Sequence, residues 1–342
     1  MPFSPDRPRA TVLGAFLEGW RRAIVAPVVT VSIFVATLLF TLPLAFALRG
    51  MLETHLGQSM VADRAQWNWD EGWATEFASQ AQGLGRTFTH EMLGFGGTMS
   101  ISSGLLDARP LAPAVAGAVV AYVMFWIFLS GGILDRLARA RPVRTHAFFA
   151  ACGVYFVRFL RLALFIAPIY WVLFRWLHPL LFTTIYDRLT RDMTSEQQAL
   201  LLRGGLYLIF LAALMLVSLM ADFAKVRAVV EDRRSMLAAL GASLRFIRRR
   251  PLRTVTLYLL NVLALLVLAR LWLQIAPPGW GPTWRALLLT QLFVLARLWA
   301  RLAFIASEVA FFQGELAHAQ YTATPDPIWP ESPSAESVAR PR

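Results

Sequence analysis

Apolar residues arrive along this chain in long continuous runs, not in alternation. Six runs approach the length of about 20 residues that a membrane-crossing helix needs: Ile24–Leu48, Leu111–Leu134, Leu160–Leu177, Ala199–Ala221, Thr254–Leu273 and Ala286–Phe312. Pro168 interrupts the third, and the sixth carries two arginines. Continuous runs point to helices and against barrel strands, whose lipid-facing and lumen-facing residues alternate. The expected fold is all-α: a polytopic membrane protein with six transmembrane helices in a single domain over residues 1–320. The segment 321–342, rich in Pro, Ser and Ala, reads as a disordered cytoplasmic tail.

Shorter stretches between the runs mix apolar residues with arginine. "THAFFAACGVYFVRFLR" and "SMLAALGASLRFIRRR" suit amphipathic helices lying in the membrane plane, apolar side chains in the interface and guanidinium groups on headgroup phosphate. Thr145 and Ser235 are expected to cap them. Similar stretches follow a charged joint twice. When Asp135 is set on Asp222, Arg136 and Arg139 fall near Lys225 and Arg227, and Ala150–Ala151 corresponds to Ala238–Ala239. Gly153 lies 18 residues after its aspartate and Gly241 lies 19 after its own. At the N-terminus Ala15, Arg21 and Pro27 match Ala239, Arg245 and Pro251, and near the end Glu308 takes the aspartate's place. Gly153 to Asp222 spans 69 residues and Gly241 to Glu308 spans 67. The expectation is three parallel hairpin repeats, about 12–135, 145–222 and 235–308. Each is an in-plane cytoplasmic helix, two spans and an acid. An outer insertion, 49–112, lengthens the first.

Charge sets the orientation. With the N-terminus inside, segments 1–22, 135–161 and 222–253 carry 4, 6 and 9 Lys/Arg, against 4, 4 and 2 in 49–112, 175–203 and 270–285. This excess places both termini in the cytoplasm. The formal charge of +12 is then mainly a topology signal facing anionic lipid, not nucleic acid. Lys225 is the only lysine. No cleavable leader precedes the first run, which is expected to stay in the mature protein. With Cys152 as the only cysteine, an internal disulfide or a cysteine-rich metal site is excluded.

A helix reading Ala238, Ala239, Ser243, Arg245, then Pro251 leading a span, repeated through six spans, resembles a loose group of bacterial membrane proteins. Among them is the membrane domain attached to some glycerophosphodiester phosphodiesterases. The resemblance implies a fold class and an inner-membrane location. Nothing here resembles the phosphodiesterase barrel, so no activity is implied.

Two groups of charged residues are candidate sites. Asp135, Asp222 and Glu308, with Arg139 and Lys225, form a candidate charge cluster that would bind a cation or relay protons. The same acids have a local explanation, since Asp135 stands four before Arg139 and Asp222 three before Lys225. Arg297 and Arg301, four apart on one helical face, lie about 16 and about 10 Å from Glu308 along the axis. An arginine at mid-membrane costs about 3 kcal/mol, so Arg297 is expected to face protein or a wet cavity. Asn261, Tyr122 and Tyr170 are its candidate partners, and Arg297, Arg301 and Asn261 the candidate ligand site.

In the insertion, Trp69, Trp73 and Phe77 follow helical spacing. "FTHEMLGFGGTMSISSGLL" reads as a re-entrant or interfacial element. His55, His90, Glu53 and Glu91 lack any recognised metal spacing. No P-loop, G-x-S-x-G or Cys-x-x-Cys occurs, so neither a cofactor nor an enzymatic role is expected. Cys152, Ser130–Gly131–Gly132 and Gly204–Gly205 read as close-packing positions. The function expected is binding or transport of a lipid or small anionic solute. The alternative is a membrane scaffold or assembly factor. Expected partners are membrane lipids and other envelope proteins.

Overall fold

A computed structural model describes residues 11–57, 59–61, 70–88, 103–109, 113–139, 143–275 and 283–318. They are mostly helical, with no strand among them. Six helices are long and apolar enough to cross a membrane: Pro27–Leu56, Ala116–Arg139, Thr145–Thr190, Glu196–Val230, Pro251–Ile275 and Trp284–Leu316. In chain order the helices are α1 (Val12–Ile24), α2 (Pro27–Leu56), α3 (Glu71–Gln80), α4 (Pro113–Arg139), α5 (Thr145–Thr190), α6 (Glu196–Val230), α7 (Met236–Arg249), α8 (Pro251–Ile275) and α9 (Thr283–His318). The tail 321–342, Trp69, His90, Glu91 and residues 89–102 of the glycine-rich stretch lie outside the described residues.

Local chemistry explains where the helices begin. Thr11 Oγ1 accepts from the Gly14 amide, Asp70 Oδ1 from Trp73 and Ser235 Oγ from Ala238, each satisfying an amide that the first turn leaves without a partner. Thr145 does not cap α5; Arg144 holds the cap position and Thr145 is the first helical residue. Pro27 and Pro251 open α2 and α8, where the missing N–H costs nothing. These prolines separate α1 from α2 and α7 from α8. The middle segment has no proline at that point, so α5 runs unbroken from Thr145 instead of forming a separate in-plane helix and span. Pro168 and Pro179 remove two of its bonds, and wide π-turns at Leu173–Leu177 and Leu180–Ile185 carry the helix on to Thr190.

Two compact units divide the chain. The first comprises the described residues of Met1–Val25, Trp126–Val262 and Leu302–Arg342. Its core gathers Phe159 and Leu162 of α5, Leu219, Phe223 and Val226 of α6, Phe246 of α7, Leu257 of α8, and Val309, Phe311 and Phe312 of α9. Phe246 meets Phe223, Phe311 and Phe312 with ring centroids 5.1, 6.0 and 5.4 Å away. The start of α5 lies on α4 with almost no gap: a Cβ on Gly131 would stand 2.8 Å from Tyr155 Cβ, and one on Gly132 2.6 Å from Cys152 Sγ. Cys152 is fully buried there. Gly204 and Gly205 face open space, so the expectation that they pack helices together is not met.

Helix α1 buries Ala15, Gly19 and Ala23, four residues apart on one face. Gly19 rests against the backbone of Ser307, and Arg22 Nη1 donates to Leu137 O at 3.1 Å and to Gln313 Oε1 at 2.8 Å. Glu18 accepts from both Arg21 and Arg22. Hydrogen bonding from Arg21 first, then from Arg22, pulls its carboxyl down to about 2. On α9, buried Glu315 pairs with Arg250 at 2.6 Å and Arg253 at 3.0 Å. Glu315→Gln leaves both arginines without a carboxylate, but they are partly exposed, so a loss of about 1 to 2 kcal/mol is expected. Thermal unfolding in detergent checks this.

The second unit comprises the described residues of Ala26–Phe125 and Leu263–Arg301. Trp73 and Phe77 of α3 are buried, and Trp73 Nε1 donates to His55 Nδ1 at 3.0 Å. Phe40 of α2 meets Tyr122 and Phe125 of α4 at 5.7 and 5.9 Å, and Trp272 of α8 stacks on Phe293 of α9 at 4.7 Å.

Candidate functional site

The three joint acids do not share one fate. Asp135, 6% exposed, accepts from Arg139 Nε at 2.9 Å. Asp222 accepts from Lys225 Nζ at 2.6 Å. In both cases the base is supplied by the same helix, one turn on. Glu308 has Phe311 and Phe312 at those positions. It is 2% exposed, and its Oε1 is buried with no hydrogen-bond partner among the described residues.

The surroundings of Glu308 are polar nevertheless. Its carboxylate lies in the field of Asp222 and Lys225 of α6. Tyr258 of α8 lies in the field of Glu308 and Asp222 and shares a hydrogen bond with Ser218. Tyr170 of α5 meets the same serine, with the two hydroxyls 3.1 Å apart. A hydroxyl–carboxylate–ammonium group is thus assembled from α5, α6, α8 and α9. Of the five charged residues expected to cluster, it gathers Asp222, Lys225 and Glu308. The Asp135–Arg139 pair stands instead beside Tyr155 and Cys152.

Spacing along the helices could have pointed to the added hydroxyls. Ser218 lies one turn before Asp222, and Tyr258 three residues before Asn261. Asn261 is 2% exposed, and its Nδ2 donates to Ser307 Oγ at 2.8 Å and to Leu257 O at 2.9 Å. Ser307 Oγ in turn donates to Phe304 O. The amide is used between α8 and α9, which removes it as a donor to a ligand at the arginines.

Arg297 and Arg301 are both exposed, so of the two surroundings expected for Arg297, protein or a wet cavity, protein is not the one found. Among the described residues Arg297 has no ion-pair or hydrogen-bond partner. By the helical period, Arg297, Arg301, Glu308 and Glu315 share one side of α9. That side is buried at Glu308 and Glu315 and exposed at the two arginines. His55 accepts from Trp73, and Glu53 accepts from Arg49 at 2.6 Å. Among the described residues no three His, Cys, Asp or Glu stand together to hold a metal.

No family model, curated protein or solved structure matches the chain.

Proposed function

We propose that this is a non-enzymatic multi-pass protein of the bacterial cytoplasmic membrane that binds the phosphate of anionic lipid through Arg297 and Arg301. The observation that carries the reading is Arg297 itself, an exposed guanidinium on an apolar helix with no partner among the described residues. It lies 13 residues from Trp284 at the start of that apolar helix, or about 20 Å along the axis. A bare charge at that depth in hydrocarbon is costly. A lipid phosphate drawn toward it offsets the cost, and arginine's planar fork matches phosphate oxygens two at a time. Arg301, one turn nearer Glu308, reaches the same anion.

Arginine excess on the segments 1–22, 135–161 and 222–253 supports cytoplasmic termini. Three contacts support the triple repeat, because each places a repeat's first helical stretch on the end of a span. The start of α5 lies on Gly131 and Gly132 of α4, Phe246 of α7 on Phe223 of α6, and Gly19 of α1 on Ser307 of α9. The first two join neighbours in sequence. The third joins the first repeat to the last.

Native mass spectrometry in neutral detergent tests the lipid reading, with phosphatidylglycerol, phosphatidylcholine and inorganic phosphate as separate probes. Wild-type protein is expected to retain phosphatidylglycerol preferentially and not inorganic phosphate. Arg297→Leu should weaken that retention about tenfold, the loss of one charge-assisted contact. Equal retention by wild type and variant overturns the reading. Capture of inorganic phosphate alone would make a free anion the ligand.

A further inference from the structure

We infer that Glu308 is a reversible proton-binding site, taking up and releasing one proton within the group formed by Asp222, Lys225, Tyr258, Ser218 and Tyr170. Its position and neighbours carry the inference. The carboxyl is 2% exposed, and Oε1 finds no hydrogen bond among the described residues. A carboxylate held dry and unpartnered is costly, and protonation is the least disruptive way to remove the charge. The two sister acids have no such need, because Arg139 and Lys225 neutralise them from one turn away.

The group around Glu308 has the composition of a site that exchanges one positive charge. With both acids ionised and Lys225 charged, the formal charge is −1, and one proton brings it to zero. Lys225 already holds Asp222, which leaves Glu308 as the open position. The titratable groups recorded around it are Asp222 and Lys225 on α6 and Tyr258 on α8, with Tyr170 on α5 joined through Ser218. On its own helix the residues one turn on are Phe311 and Phe312. The proton's route is assigned to Asp222 and Lys225, which follow the apolar run Ala199–Ala221 and have side chains 28% and 31% exposed. On uptake the carboxylate becomes a carboxylic acid and gains one O–H donor, the only donor its side chain offers. On release that proton returns through the Asp222–Lys225 pair to water.

The proton is favoured over a metal cation by the ligand set. No three metal-binding side chains gather among the described residues, and the ammonium of Lys225 occupies the place beside Asp222 that a cation would take. The inference is independent of the arginine reading, since it uses none of the same residues.

Infrared difference spectroscopy on the purified full-length protein in nanodiscs tests it. Spectra recorded between about pH 5 and about pH 9, a range reached by buried carboxyls, should show the carbonyl stretch of a protonated carboxyl group changing with pH. The band should be lost in Glu308→Gln and kept in Glu315→Gln, whose missing acid is neutralised by two arginines. Glu308→Asp should keep the band with a displaced midpoint, which separates loss of the titrating group from loss of the fold. A band unchanged in Glu308→Gln, or no titrating band in that range, overturns the inference. So does a band removed by sodium at constant pH, which would make the ligand a metal cation.

Discussion

Gly19→Val is expected to destabilise the protein by more than about 3 kcal/mol, the upper end of overpacking effects. A Cβ at this position would stand 2.4 Å from the Ser307 amide nitrogen and 2.5 Å from its Cα. Both are main-chain atoms in the middle of α9, so no side-chain rotation can make room. The two helices must separate by more than an ångström. That separation strains the hydrogen bonds from Arg22 to Leu137 and Gln313 and lifts Ala15 and Ala23 off the core. Even Gly19→Ala meets the same backbone. Gly204→Ala is the control: its Cβ meets nothing within 4 Å, and replacing a helical glycine with alanine there should be neutral or stabilising by up to about 1 kcal/mol. Thermal unfolding of the three variants in one detergent measures the contrast. Equal melting of Gly19→Val and wild type would show that α1 is not held against α9.

The six spans were legible because apolar length is written directly into the chain. Their ends were not. Helix α6 continues past Asp222 to Val230 because its charges are paired locally, Asp222 with Lys225 and Arg227 with the C-cap residue Glu231 at 3.6 Å. A charge therefore does not mark a helix end. Proline marks an end only where it opens a helix: Pro27 and Pro251 coincide with breaks, whereas Pro43 lies inside α2 and Pro168 and Pro179 lie inside the unbroken α5. The isolation of Glu308 was also readable, since Phe311 and Phe312 occupy the places where Asp135 and Asp222 find a base. Its hydroxyl neighbours were harder to read, as Tyr170 and Ser218 meet across 48 residues of chain. The exposure of Arg297 was missed for a geometric reason. Helical spacing says that Arg297 and Arg301 share a face with Glu308, but not where along that face the covering helices stop.

Glu308→Leu is expected to stabilise the protein by about 2 kcal/mol, within the range found when buried charges give way to apolar residues of similar volume. Leucine fills nearly the same space and removes the buried Oε1 that has no partner among the described residues. It leaves the Asp222–Lys225 pair intact. With an unfolding entropy of about 2.1 cal/mol/K per residue over 342 residues, the melting temperature should rise by about 3 °C. The same change at Glu315 should lower it, because that carboxylate accepts from Arg250 and Arg253. Two acids at 2% and 3% exposure on one helix thus answer the same substitution with opposite sign. Burial alone predicts no such difference; partnership does. A fall in melting temperature for Glu308→Leu would mean that its carboxyl is satisfied in the folded protein, which would remove the reason for assigning it a proton. A rise means that the fold carries an acid it would be more stable without, as expected of a residue kept for function.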